Sequence, residues 1–190
     1  MSTPKPAQES IPSTIIRDAS HEDMSEVTAI YDSYVQNSAA TFEEISPTVD
    51  EIMVRYKSLL SMELPFLVAT KDNKIFGYAY AGMYRTRSGY KYTVEDSVYV
   101  NPKYLGLGIG RQLLTELIKR CESLGYRQMI AVIGDSANTA SIALHSQLGF
   151  RVIGALPATG RKFGRWIDTV LMQRALGVGA SEPPISASSS

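Results

Sequence analysis

The run from Thr93 to Arg111 constrains this chain most: an alternating TVEDSVYV, a short NPKYL link, then GLGIG opening a helical pattern. Gly106, Gly108 and Gly110 fall at every second position where a strand period gives way to a helix period. Without side chains, such a turn lets several backbone N–H groups converge on one anion, and the helix N-terminus behind it adds partial positive charge. On the strand just upstream stands a carboxylate, Glu95. An anion cradle beside an acid points to a phosphate-bearing cofactor held next to proton-transfer chemistry. The competing reading is a plain glycine turn, and the strand before it and helix after it favour the cradle.

Two nucleotide loops fail on their residues. A P-loop needs Lys then Ser/Thr after its last glycine, whereas Arg111 and Gln112 follow Gly110. A Rossmann fingerprint needs G-x-G-x-x-G near the first strand of a βαβ unit. Here the spacing is G-x-G-x-G, and several strands come earlier.

Periodicity supplies the surroundings. A short strand is expected at 14–17, then a helix over His21–Asn37 with Ser20 as N-cap and Met24, Val27, Ile30, Tyr31, Tyr34 and Val35 at helical spacing. A second helix is expected at 48–60, followed by strands at 65–70, 74–84 and 91–100. A helix at 109–124, a strand at 127–133, a helix at 137–147 and strands near 150–156 and 165–174 complete the pattern. Several strands preceding two strand–helix alternations predict an α/β (α+β) single domain, a mixed sheet with helices on its faces. The polar, Pro/Ser-rich 1–13 and the low-complexity 176–190 read as disordered tails flanking a domain at 14–175.

Charge and cysteine content exclude other classes. Nineteen basic residues balance nineteen acidic ones, so the chain lacks the basic footprint of a nucleic-acid binder. One cysteine (Cys121) rules out an internal disulfide framework, and two separated histidines (His21, His145) give no metal cluster, so no metal is expected. No apolar stretch approaches the roughly 20 residues that span a bilayer, and the N-terminus lacks an apolar signal segment. A soluble, cytoplasmic protein without membrane partners is expected. Cys121, in register with Leu114, Leu117 and Ile118, reads as core, and Trp166 as packing.

Leu105-Gly106-Leu107-Gly108-Ile109-Gly110 resembles the pyrophosphate-binding loop of the GNAT acetyltransferases, Gln/Arg-x-x-Gly-x-Gly/Ala, except that Leu105 replaces the polar first residue. Arg111 or Lys103 can supply the charge. Asn138–His145 followed by Leu148-Gly149-Phe150 is similar to that superfamily's Asn-containing helix and the strand start after it. More narrowly, IYDSYVQNSAATFEE (30–44), TVEDSVYV (93–100) and KFGRWID (162–168) resemble the phosphinothricin/methionine-sulfone N-acetyltransferase branch. The resemblance covers about residues 14–174. It implies a mostly antiparallel GNAT sheet and acetyl-CoA as co-substrate. A small amino-acid-like amine as acceptor and a homodimer are implied with them.

Acetyl transfer to an amine requires the amine neutral, and a free α-amino group has a pKa of about 8, so a base in reach is worth roughly 10²–10⁴ in rate. Glu95 is the first candidate. On a strand it shares a face with Ser97 and Tyr99, while Val94, Val98 and Val100 face the other way. Apolar neighbours should desolvate it and raise its pKa. Read alone, it is equally an edge-strand acid in water; the resemblance implies the base. His145 falls where relatives carry a residue that reprotonates the leaving thiolate, and a structural histidine is the alternative. The resemblance further implies that Val98, Tyr99 and Val100 offer backbone groups to pantetheine and acetyl. With Leu107 and Ile109, the glycines and Arg111 complete the diphosphate site, and Asn138 is a candidate contact for the pantetheine arm or a helix N-cap.

Tyr84–Tyr90 is a loop with two arginines, and Arg binds carboxylate bidentately. The family's substrate segment aligns with Arg85, Thr86 and Arg87, and its Glu-x-Ser portion with Glu95, Asp96 and Ser97. Phe42 and Tyr90 are candidate pocket walls, with ordinary packing as the alternative. With no cysteine nucleophile near these motifs, direct attack within a ternary complex is expected. Acetylation of protein or peptide N-termini, or non-catalytic acyl-CoA sensing, are the competing functions.

Overall fold

Local signals start most elements where the sequence places them. Thr48 Oγ1 accepts from the Glu51 N–H at 3.2 Å, and the Glu51 carboxylate accepts from the Thr48 N–H at 2.7 Å. This reciprocal capping box opens helix α2 (Val49–Ser61). Ser20 is an N-cap as expected, but of a short turn ahead of the α-helix. Its N–H and hydroxyl both donate to the Asp23 carboxylate, which Arg17 also grips at 2.6 Å. A short 3-10 turn therefore occupies His21–Asp23, and helix α1 runs Met24–Asn37.

The computed structural model describes residues 14–184. The remaining elements are β1 (Ile15–Asp18), β2 (Phe66–Lys71), β3 (Lys74–Met83), β4 (Thr93–Val100), α3 (Ile109–Ser123), β5 (Gln128–Gly134), α4 (Thr139–Gln147), β6 (Arg151–Lys162) and β7 (Arg165–Ala175). They form one seven-stranded sheet in the order β1-β2-β3-β4-β5-β7-β6. Neighbouring strands are antiparallel except β4 and β5, which α3 joins in parallel as a crossover. The α/β mixed-sheet expectation holds.

Helices cover both faces. On one, Leu113, Leu114, Leu117 and Cys121 of α3 pack with Val94, Met129 and Met172 of the sheet, all fully buried. On the other, Met24, Val27 and Ile30 of α1 and Ile52 and Tyr56 of α2 pack on Phe66, Val68 and Tyr78. Fully burying each such side chain is worth roughly 1.5–3 kcal/mol, which fixes both layers against the sheet and so fixes what lies between them.

Three expectations need correction. β6 extends to Lys162 rather than ending near 156; its register shifts between Leu156 and Gly160 let the strand pass Pro157. Trp166 is not packing: on the outer hairpin it is 64% exposed. The C-terminal tail does not begin at 176. Leu176 is fully buried, its N–H donates to Arg127 O at 3.0 Å, and Arg127 reaches Pro183 O at 3.3 Å. The expected 1–13 tail and residues 185–190 lie outside the described residues. No helix among the described residues is long and apolar enough to cross a membrane.

Candidate active site

Strands β4 and β5 part company halfway along. Their parallel ladder ends at Asp96↔Ala131, although β4 continues to Val100 and β5 to Gly134. The Asn101 N–H donates to Phe76 O, so the odd-numbered β4 residues pair with β3 and the even-numbered ones turn their amides toward β5. Val98 and Val100 thus present backbone groups to the gap, past the last rung. Tyr34, which sequence periodicity reads only as core, supplies Val100. Its hydroxyl donates to Val100 O at 2.7 Å and accepts from the Val100 N–H at 3.4 Å. A phenol inside an apolar stripe was the available signal, because a buried Tyr hydroxyl usually finds a partner. Tyr34→Phe should destabilise by about 1 kcal/mol and weaken acetyl-CoA binding, checked by thermal melting and calorimetry.

The gap opens into a cleft of about 1130 Å³ that runs between β4, the glycine turn and α4. Gly108, at φ 75°, is the N-cap of α3, and Gly106 at φ 78° prepares it. A Cβ built on either glycine meets nothing within 4 Å, and both glycines border the cleft, so open space lies beside the turn. Leu107, Ile109, Gly110 and Arg111 border the same cleft with Val98, Tyr99 and Val100. The turn fits a diphosphate by its own construction: backbone donors at a helix N-terminus around an open hollow. Asn138 also borders the cleft and caps α4, its Oδ1 accepting from the Ser141 N–H at 3.2 Å; both expected roles are geometrically open to it.

Glu95 and Ser97 lie on the cleft wall, on the sheet face that packs against α1 and α2. Glu95 is half-buried. Burial pushes its carboxyl above the ordinary carboxylate range, the Asp96 charge adds to this, and Arg85 opposes it.

Asp96 does not join Glu95. Strand alternation turns it to the opposite face, where it is 7% exposed and its Oδ2 meets His145 Nε2 at 3.0 Å. It is a buried partner of His145 at the edge of the cleft rather than an exposed neighbour of Glu95. His145 is 2% exposed, and its Nδ1 lies 2.8 Å from Ser141 O. Burial pulls the His145 pKa down, but the Asp96 hydrogen bond and charge and the Ser141 carbonyl outweigh it, leaving the pKa raised.

Arg85, Thr86, Arg87 and Tyr90 are all exposed, and none borders the cleft. Arg85 stacks over the Tyr84 ring at 4.8 Å, and its charge still reaches Glu95. Phe42 does border the cleft, with Ala39, Ala40 and Thr41 beside it. Its ring lies on Gly160, where a Cβ would come within 2.5 Å of a ring carbon. Lys162, missed from sequence, holds this wall in place. Its buried ammonium donates to Ser38 O at 2.8 Å and Thr41 O at 2.9 Å, tying the β6–β7 hairpin to the segment leading into Phe42. Lys162→Met leaves those carbonyls unpaired. We expect a loss of about 1–3 kcal/mol, read as a lowered melting temperature, with the KM for amine rising.

The acetyltransferase (GNAT) family model matches residues 27–150. The chain is 50% identical over 170 residues to a phosphinothricin N-acetyltransferase of Alcaligenes faecalis, covering 90% of this chain and 85% of that one. It is 40% identical over 161 residues to the L-methionine sulfoximine/L-methionine sulfone acetyltransferase of Salmonella typhimurium, covering 85% and 94%. A phosphinothricin acetyltransferase from Sinorhizobium meliloti, crystallised with acetyl-CoA, superposes with a TM-score of 0.89 at 44% identity over 92% of this chain and 95% of that one. With a parted β4–β5 pair opening onto a glycine turn at the start of α3, the chain belongs to the GNAT acetyltransferase family.

Proposed function

We propose that the chain transfers an acetyl group from acetyl-CoA to the amine of a small amino-acid-like substrate of the phosphinothricin or methionine sulfoximine type, with Glu95 as general base. The names of the relatives support the substrate class. The observation that carries the chemistry is a half-buried carboxylate of raised pKa on the cleft wall, one strand-length from the glycine turn.

The co-substrate, when bound, supplies an activated acyl carbon on a thioester. The amides of 106–111 hold its diphosphate, Val98–Val100 align the arm along β4, and the Asn138 amide group faces the same cleft. Glu95, directly or through a water, takes the proton that the amine sheds as its nitrogen bonds to the acyl carbon and the carbon–sulfur bond breaks. Direct attack is favoured because Cys121, the single cysteine, is fully buried in the α3 face with its thiol pushed up to about 12 by burial. Arg85, exposed on the loop between β3 and β4 with its charge acting on Glu95, is the proposed carboxylate partner of the acceptor.

Release of free thiol from acetyl-CoA, measured across a panel of amines, tests this reading. Turnover with phosphinothricin or methionine sulfoximine, and none with a peptide bearing a free N-terminus, is expected. Turnover of the peptide alone overturns the substrate class. Binding without turnover of any amine overturns the enzyme reading in favour of a sensor.

A further inference from the structure

Asp96 and His145 sit at the vertex of the cleft and come from its two sides. Asp96 is the last β4 residue on the β5 ladder, and His145 stands in the last turn of α4, the helix whose N-cap is Asn138. The nearest group to each ring nitrogen only accepts, the Ser141 hydroxyl lying farther from Nδ1 at 3.4 Å. Nδ1 meets the Ser141 carbonyl, and Nε2 meets a carboxylate whose other oxygen, Oδ1, is buried without a partner. An imidazole can donate from both nitrogens only as the cation. The contact from Nε2 to the carboxylate is then a charge-assisted pair. Phe150 closes the site edge-on to the imidazole, with ring centroids 5.0 Å apart.

We propose that His145 is a positioning residue, an imidazolium locked to Asp96 that clasps α4 to β4 where the strands part and so sets the width of the coenzyme cleft. The inference rests on the reading that the cleft holds acetyl-CoA. Both N–H groups are spent on protein acceptors, so His145 has no free proton to hand to a leaving thiolate. The Asp96 carboxylate in turn has no partner but His145. Removing one member strands a buried charge, which is the costly way to break such a pair. The other titratable groups that share a field with Asp96 are Cys121 on α3 and Glu95 on the far face of β4.

The test uses the full chain in three measurements. Nitrogen-15 NMR of the histidines, of which there are two, reads the ring of His145 without any ligand. An imidazolium at pH 7.5 is expected, and a neutral ring overturns the lock. Titration calorimetry and kinetics on His145→Gln should show the acetyl-CoA Kd rising about tenfold, with a smaller fall in kcat. A kcat collapse with Kd unchanged overturns the clasp and restores His145 as a proton donor. Should His145→Gln not fold, Asp96→Asn replaces it: its amide oxygen can still accept from Nε2, but the ring should turn neutral and the Kd still rise. A ring that stays charged in Asp96→Asn overturns the proposal. Wild-type protein that shows the imidazolium but binds no acetyl-CoA refutes the functional reading alone.

Discussion

Glu95→Gln should lower kcat by about 10²–10⁴ and leave acetyl-CoA binding near the wild-type value, because it removes a base and no contact with the diphosphate cradle. The pH profile separates this from general damage. Burial and the Asp96 charge raise the Glu95 pKa in the folded protein, so kcat/KM should climb with pH along a limb centred above the ordinary carboxylate value of about 4.3. Gln at 95 should erase that limb and leave only the rise from the amine's own deprotonation. Stability should move the other way. A carboxyl whose folded pKa lies above its unfolded one contributes stability only at low pH, and that contribution is lost as pH rises through the folded value. At pH 7.5 wild type has already lost it, so Glu95→Gln should melt no lower than wild type. A variant that loses turnover and melts early would have been inactivated by unfolding, and unchanged turnover across pH 6–8 removes Glu95 as the base.

Much of this site is legible in sequence because its physics is local. The glycine turn declares itself by the change from period 2 to period 3.6 around Gly106–Gly110, and strand alternation alone places Glu95 with Ser97 opposite Val94 and Val98. That same alternation puts Asp96 with the valines. Aligning it with a Glu-x-Ser substrate motif overrode the simpler rule, and the structure sides with the rule. Motifs carry roles, but the pleat decides which side of the sheet a residue serves.

What sequence does not carry is the relation between distant elements. The parting of β4 from β5 depends on where a ladder stops, and no residue type announces it. Lys162 reads as one more surface charge until the hairpin folds back and 121 residues of separation close onto the Thr41 carbonyl. Phe42 acquires its place because Gly160 leaves room for a ring, a match between two positions that neither reveals alone. Pro157 and Gly160 signal the end of a strand, yet β6 absorbs them by shifting register, because β7 supplies a partner on either side of the irregularity.

The cradle can be tested by a pair of substitutions that isolates charge from backbone strain. Gly108 holds φ 75°, a conformation that costs an ordinary L-residue roughly 1–2 kcal/mol but that Asn and Asp adopt comparatively well. Nothing lies within 4 Å of a Cβ there, so either side chain fits without a clash, and Gly108 itself borders the cleft. Asn and Asp are nearly the same size and shape. Gly108→Asn should therefore fold, and should weaken acetyl-CoA binding only by crowding the amides. Gly108→Asp adds a carboxylate beside a site built for an anion. Two like charges 4–6 Å apart repel by about 3–4 kcal/mol at an effective dielectric near 20, and solvent at the open mouth reduces this to about 1–2. The Asp variant should therefore bind acetyl-CoA roughly tenfold more weakly than the Asn variant, and the gap should narrow as salt is raised. Calorimetry on the two proteins at low and high salt reads this directly. Equal affinities would mean that no anion lies at the start of α3, and the diphosphate would have to be held elsewhere along the cleft.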